Sequence, residues 1–146
     1  MDIIKSLREE TGLSFAQIKK ALDEANGDAA AAREVLKTYS ANSAAKRAEN
    51  DMPVGMISAY VHSTGMMGAM VTLSCETDFV AKNEEFKGLA YDLAMHVAAM
   101  GNDDLETVLS ESFIKEGSMT VNERINGAIQ KFGENVKLTK AVRFAF

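Results

Sequence analysis

The chain has 146 residues, 47% of them hydrophobic, and a single proline, which excludes a disordered chain and allows one medium domain or a small module beside a compact core. Its net charge of −5 excludes a nucleic-acid partner gripped mainly through phosphates, because such a grip needs a basic face. An acidic chain of this kind can still work by binding another protein.

The chain starts Met1-Asp2-Ile3-Ile4-Lys5, without a signal-peptide pattern, and no long apolar run follows; a cytoplasmic protein is expected. Residues 2 to 39 read as three short helices. Ile3, Ile4 and Leu7 share one face of the first, which ends near Thr11-Gly12. Ser14 with Gln17 forms a candidate capping box for the second, one side of which carries Phe15, Ile18, Ala21 and Leu22. Asn26-Gly27 stops it, and Asp28 caps an Ala-rich third helix bearing Val35 and Leu36. Three helices with a short first link suggest a module of the ubiquitin-associated type over residues 1–39. The small, polar residues 40–53 read as a linker, partly prolonging the third helix before Pro53.

Residues 54–146 read as an α+β core. A strand over about 54–62, a turn at Ser63-Thr64-Gly65 and a strand over 67–75 predict an antiparallel hairpin. In the second strand Ala69, Val71, Leu73 and Cys75 share one face, with Met70, Thr72 and Ser74 on the other. Cys75 is the only cysteine, so no intrachain disulfide is expected, and its apolar face makes it a buried thiol rather than a nucleophile. Asn83 caps the cleanest helix, with Phe86, Leu89, Ala90, Leu93, Ala94 and Val97 as its buried stripe, His96 at its flank and Gly101 at its end. Residues 102–119 are weakly patterned, with one short helix at 105–110. Thr120 and Glu123 form a second capping box for a helix ending at Gly133. The last strand, about 136–146, puts Val136, Leu138, Val142, Phe144 and Phe146 on one face, interrupted by Lys140. The expected whole is a three-stranded antiparallel sheet with flanking helices behind a three-helix module.

Between the hairpin and the clean helix stands Thr77-Asp78-Phe79-Val80, which the residues leave open to two readings. Phe79 turns inward as a core plug beside a capping Asp78, or it projects outward as a wedge for a partner. The run Cys75-Glu76-Thr77-Asp78-Phe79-Val80-Ala81-Lys82 resembles the central signature of elongation factor Ts, the nucleotide exchange factor for the translation GTPase elongation factor Tu. The family usually has Glu and Asn where this chain has Thr72 and Ser74. Leu7-Arg8-Glu9-Glu10-Thr11-Gly12, Lys19-Lys20-Ala21-Leu22 and Glu24-Ala25-Asn26-Gly27-Asp28 resemble its amino-terminal module, although Phe15 to Ile18 replace a common Met pair and Asp-Cys. Lys131-Phe132-Gly133-Glu134-Asn135 resembles its Gly-Glu-Asn segment, Thr139-Lys140 replaces an Arg pair, and Arg143-Phe144 matches its Arg-Phe.

The resemblance implies a guanine nucleotide exchange factor that is not an enzyme and needs no cofactor. It implies that Phe79 enters the nucleotide domain near magnesium and phosphate, within Thr77-Asp78-Phe79-Val80, and that Asp78 anchors the approach. It also implies that Phe132 and Gly133 lie in a segment meeting that domain. Lys19 matches a lysine that contacts the GTPase, though a solvated helix-face lysine reads equally well from the residue alone. His62 aligns with a histidine that faces a different GTPase domain. One core unit, where longer relatives carry two halves, resembles the short members that work as homodimers. Two histidines, without Cys-x-x-Cys or His-Glu-x-x-His spacing, speak against a zinc site. The competing class is a small interaction adaptor acting through the helical module.

Overall fold

The computed structural model describes residues 2–146. Helices α1 (Ile3–Thr11), α2 (Phe15–Glu24) and α3 (Ala29–Arg47) come first. The hairpin β1 (Val54–Val61) and β2 (Met67–Cys75) leads into a one-turn helix α4 (Asp78–Ala81) and the long α5 (Glu84–Met100). Then follow α6 (Leu105–Ser110), a small hairpin of β3 (Ser112–Phe113) and β4 (Glu116–Thr120), α7 (Val121–Phe132) and β5 (Val136–Ala145). The class is α+β, with an antiparallel sheet in the order β1-β2-β5.

The helix starts are set by local chemistry. Asp2, Ser14, Asp28, Asn83, Asp104 and Thr120 each accept a hydrogen bond from a backbone N–H of the first turn, satisfying donors that the helix itself leaves free. The boxes at Ser14–Gln17 and Thr120–Glu123 are both closed reciprocally. Leu7, Leu13, Ile18, Ala21, Ala32 and Leu36 bury one another among the first three helices. A larger cluster joins the inner face of β2 to α5 and α7, with Phe86, Leu93, Val97, Val71 and Leu73 fully or almost fully buried.

Three features depart from the sequence expectation. First, residues 40–47, read as a linker partly prolonging the third helix, are helical throughout and belong to α3, because they have a face to bury. Ser40 donates to Gln130 Oε1 at 2.6 Å, Ala44 packs on the larger cluster, and Arg47 Nε donates to the Gly133 carbonyl at 2.9 Å. Second, the β3–β4 hairpin lies in a stretch with no strand periodicity, since only Phe113 of its residues is buried. His96 braces it from α5: the ring's Nδ1 accepts from the Ile114 N–H at 3.1 Å, and Nε2 faces Glu111 at 3.4 Å.

The third departure is in β5. Thr72 pairs with Lys140 but Leu73 with Leu138, so Thr139 is an extra residue and the strand changes face there. Val136 and Leu138 are buried, whereas Val142 and Phe144 are 47% and 69% exposed and Ala141 and Arg143 turn inward. The expected single apolar face of 136–146 is thereby corrected. Arg143 Nε donates to the Ala98 carbonyl at 3.0 Å, and Phe146 lies beyond the strand in solvent. The outer face of the sheet is apolar toward the β1–β2 turn, with Ile57, Val61, Met70, Val142 and Phe144 exposed. Toward the other end it carries the hydroxyls of Thr72, Ser74 and Thr139, which hydrogen-bond one another. Gly55 permits the close approach of β1 to β2 at this end, as a Cβ there would stand 2.2 Å from the Leu73 carbonyl oxygen.

Candidate functional site

At the end of the sheet where β2 stops, three loops converge: residues 48–52, 76–83 and 133–135. The strand register dictates the meeting, since Cys75 pairs with Val136 and so sets Glu76 beside Asn135. Thr77 begins α4, its hydroxyl accepting from the Val80 N–H at 3.5 Å. With one turn available, the side chains divide cleanly. Val80 and Ala81 point inward, 8% and 7% exposed, and Asp78 and Phe79 point out. Phe79 is 90% exposed. Of the two readings open at the sequence level, the structure has Phe79 outside the core.

The base of this turn is tied down by polar groups from the neighbouring loops. Glu134 Oε1 accepts from the N–H groups of Glu76 and Thr77 at 3.1 and 3.0 Å, and its Oε2 accepts from the Thr77 hydroxyl at 2.6 Å. Glu76 Oε1 accepts from the Asn135 N–H at 2.7 Å and from Asn50 Nδ2 at 2.8 Å. These donors, the Asn135 N–H foremost, hold the Glu76 carboxyl below its usual pKa range. Buried Asn135 returns the contact to the third loop, its Nδ2 donating to the carbonyls of Asn50 and Ala48 at 3.0 and 3.4 Å. Cys75 is fully buried; its thiol donates to the Thr77 carbonyl at 3.4 Å, and burial pushes its pKa up. It is a packed thiol, not an activated one.

Phe132 and Gly133 stand beside this cluster. Phe132 is half-buried, its ring meeting Phe86 edge-on with centroids 6.1 Å apart, and Gly133 is exposed in the left-handed conformation at φ 68°. His62 is elsewhere. It follows β1 at the far end of the hairpin, so the length of β2, roughly 27 Å, separates it from Thr77. Its Nδ1 lies 3.0 Å from the Tyr60 hydroxyl, and Tyr60 packs against Tyr91. Lys19 is exposed on α2, four residues after exposed Phe15. The structure thus groups Thr77, Asp78, Phe79, Phe132 and Gly133, and leaves Lys19 and His62 as separate surface points. Among the described residues no cluster of three or more His, Cys, Asp or Glu side chains could hold a metal ion, and no helix is long and apolar enough to cross a membrane.

The family description "Elongation factor TS" matches residues 76–146, about half of the chain, with two of the three loops of this cluster. Elongation factor Ts of Thermotoga sp. strain RQ2 is 42% identical over 94% of this chain and 76% of its own length. The chain belongs to the elongation factor Ts family. Elongation factor Ts of Thermotoga neapolitana is 34% identical over 99% of this chain and 95% of its own length. Against elongation factor Ts of Clostridium acetobutylicum the identity is 39% over 97% of this chain, which spans 46% of that protein. The chain therefore covers most of some elongation factor Ts relatives and less than half of others. Within this elongation factor Ts fold, sequence reasoning had Glu76 and Glu134-Asn135 only as members of matching motifs and did not tie them to one another or to Asn50. The signal that finds them is register. Once β2 ends at Cys75 and β5 begins at Val136 as its antiparallel neighbour, the residues just outside both ends must meet.

Proposed function

We propose that this chain is a guanine nucleotide exchange factor for elongation factor Tu in translation elongation, acting in the cytoplasm on the GDP-bound and nucleotide-free forms. Phe79 enters the partner's nucleotide domain beside the magnesium and phosphate side of its pocket. Asp78 anchors that approach through polar contacts, and Thr77 and Val80 set the turn that carries both. Phe132-Gly133 borders the same contact, and Lys19 adds one from the helical module. No bond is made or broken; the chain binds the nucleotide-free GTPase more tightly than the loaded one, and nucleotide weakens its binding by the same factor in return. The observation that carries this reading is the 90% exposure of Phe79 on a turn fixed from below. Binding hot spots are anchors that fill a desolvated pocket of the partner, a role that an exposed aromatic on a fixed base is placed to take. Release of fluorescent GDP from elongation factor Tu should quicken as the chain is added. An unchanged rate at saturating chain overturns the assignment.

We also propose a homodimer closed through the apolar half of the outer sheet face, where Ile57, Val61, Met70, Val142 and Phe144 are all exposed. One copy then offers its Phe79 end and the other its His62 end to the same GTPase. Light scattering at micromolar concentration should give twice the chain mass, and Phe144→Asp should halve it. A fully active monomer contradicts this arrangement.

A further inference from the structure

Phe79 makes its contacts, if it acts as proposed above, with a side chain that the rest of the molecule does not touch enough to orient. Its direction is inherited from the backbone of α4. A single helical turn does not hold itself in water, because fixing its first dihedrals costs more than one hydrogen bond returns. Something outside α4 must fix it, and the hydrogen bonds at its start identify one group. Glu134 takes three donors from two consecutive residues: the Glu76 and Thr77 N–H groups and the Thr77 hydroxyl. The last bond matters most for direction. A hydroxyl has one proton and two lone pairs. With the proton committed to Glu134 Oε2 at 2.6 Å, the oxygen is left to accept from Val80 N–H, the donor inside the turn. Carboxylate, hydroxyl and helix N–H form one chain of bonds ending on the residue next to Phe79.

We infer that Glu134 is a positioning residue for nucleotide release, holding the start of α4 so that Phe79 and Asp78 face the GTPase in a single orientation. This rests on the exchange reading given above. The chemistry requires a carboxylate, not merely a polar group. An amide at this position keeps one oxygen for the two backbone donors but presents an NH2 to Thr77, which leaves the hydroxyl proton without its acceptor. Glu134 is also well placed to do this without being part of the core, as it follows exposed Gly133 at the edge of the loop cluster. Its removal leaves the packing of Val80 and Ala81 in place.

The test compares wild type, Glu134→Gln, Glu134→Ala, Phe79→Ala and the Glu134→Ala/Phe79→Ala double variant. GDP release is followed as a function of chain concentration, and amide hydrogen exchange is read on the free chain. Glu134→Ala should lower the maximal release rate about tenfold, the worth of one charge-assisted hydrogen bond. The melting temperature and α5 amide protection should hold, while the Glu76, Thr77 and Val80 amides exchange faster. Glu134→Gln should fall between. In the Phe79→Ala background Glu134→Ala should have far less than its tenfold effect, since only Asp78 is left for it to orient. Additive losses in the double variant, or full activity of Glu134→Ala, would overturn the inference. If wild type itself fails to speed release, the exchange reading falls instead; the amide exchange still decides whether Glu134 holds the turn.

Discussion

Phe79 and Phe86 stand seven residues apart, each just inside a helix with a side-chain cap, yet one is 90% exposed and the other fully buried. The caps explain the contrast. Thr77 caps α4 and Asn83 caps α5, so Phe79 is the second residue of its helix and Phe86 the third. In both helices the third residue, Val80 or Phe86, is buried, and the second, Phe79 or Glu85, faces water. One position is about 100° of rotation on a helix of 3.6 residues per turn. The same aromatic therefore anchors a core in one place and is offered outward in the other. What decides is its count from the cap, not its chemistry.

Several substitutions can break that contrast. The largest effect belongs to Phe86→Ala, which should cost about 3–5 kcal/mol of folding stability, read as a lower denaturant midpoint. Phe79→Ala should instead leave stability within about 0.5 kcal/mol and weaken the GTPase complex by about 2 kcal/mol or more, measured by titration of nucleotide-free partner. A variant that melts early while still exchanging nucleotide would put Phe79 in the core after all. Exchanging the two neighbours, as Phe79→Val with Val80→Phe, drives the ring inward. The overfilled site should cost about 1–3 kcal/mol, with nucleotide release lost as well. Removing the cap of the buried helix alone, by Asn83→Ala, should cost about 1 kcal/mol and spare release in the surviving folded fraction.

Acid should separate the two regions in the mildest way. His96 on α5 is buried, and burial pushes its pKa below the ordinary value, with Glu111 opposing. Its unfolded form therefore takes a proton first as pH falls. The stability it contributes is present above about pH 6.5 and is lost as pH falls toward the depressed folded value. Glu76 beneath α4 has a depressed carboxyl pKa, so its contribution survives that window and goes only as pH falls below about 4.3 and through its folded value. Protection of the Ile114 amide should thus fall as pH drops below about 6.5, and that of Asn135 only in stronger acid.

Much of this was readable in the chain. Ser14–Gln17, Asn83 and Thr120–Glu123 act as caps because their chemistry is local, and the stripe from Phe86 to Val97 is buried because helical spacing leaves it one side to face. The outward setting of Phe79 was one of two open readings, and settling it needed Val80 and Ala81 to be seen filling the inner side. What escaped was long-range. The tie between Glu134 and Thr77 spans 57 residues of chain and leaves no periodicity behind. The full run of α3 through residue 47, beyond the partial prolongation expected, comes from partners such as Gln130, ninety residues on from Ser40. The Thr139 bulge was hidden too, because alternation read residue by residue assumes that no position is skipped.

That bulge behaves like a frameshift written in side chains instead of codons. Before Thr139 the even-numbered residues Val136 and Leu138 look inward; after it the odd-numbered Ala141 and Arg143 do. Deleting Thr139 would remove the bulge and leave each side chain on its present face, whereas straightening β5 with Thr139 retained would impose a single parity from Val136 onward. In that straightened strand Val142 and Phe144 would swing under the sheet, and Arg143 would leave the Ala98 carbonyl for solvent. An adhesive outer surface would become a polar one while the interior received an aromatic with no room prepared for it. In this fold the one residue held out of register at position 139 decides which surface the protein shows its neighbours, where most single substitutions only adjust how strongly it does so.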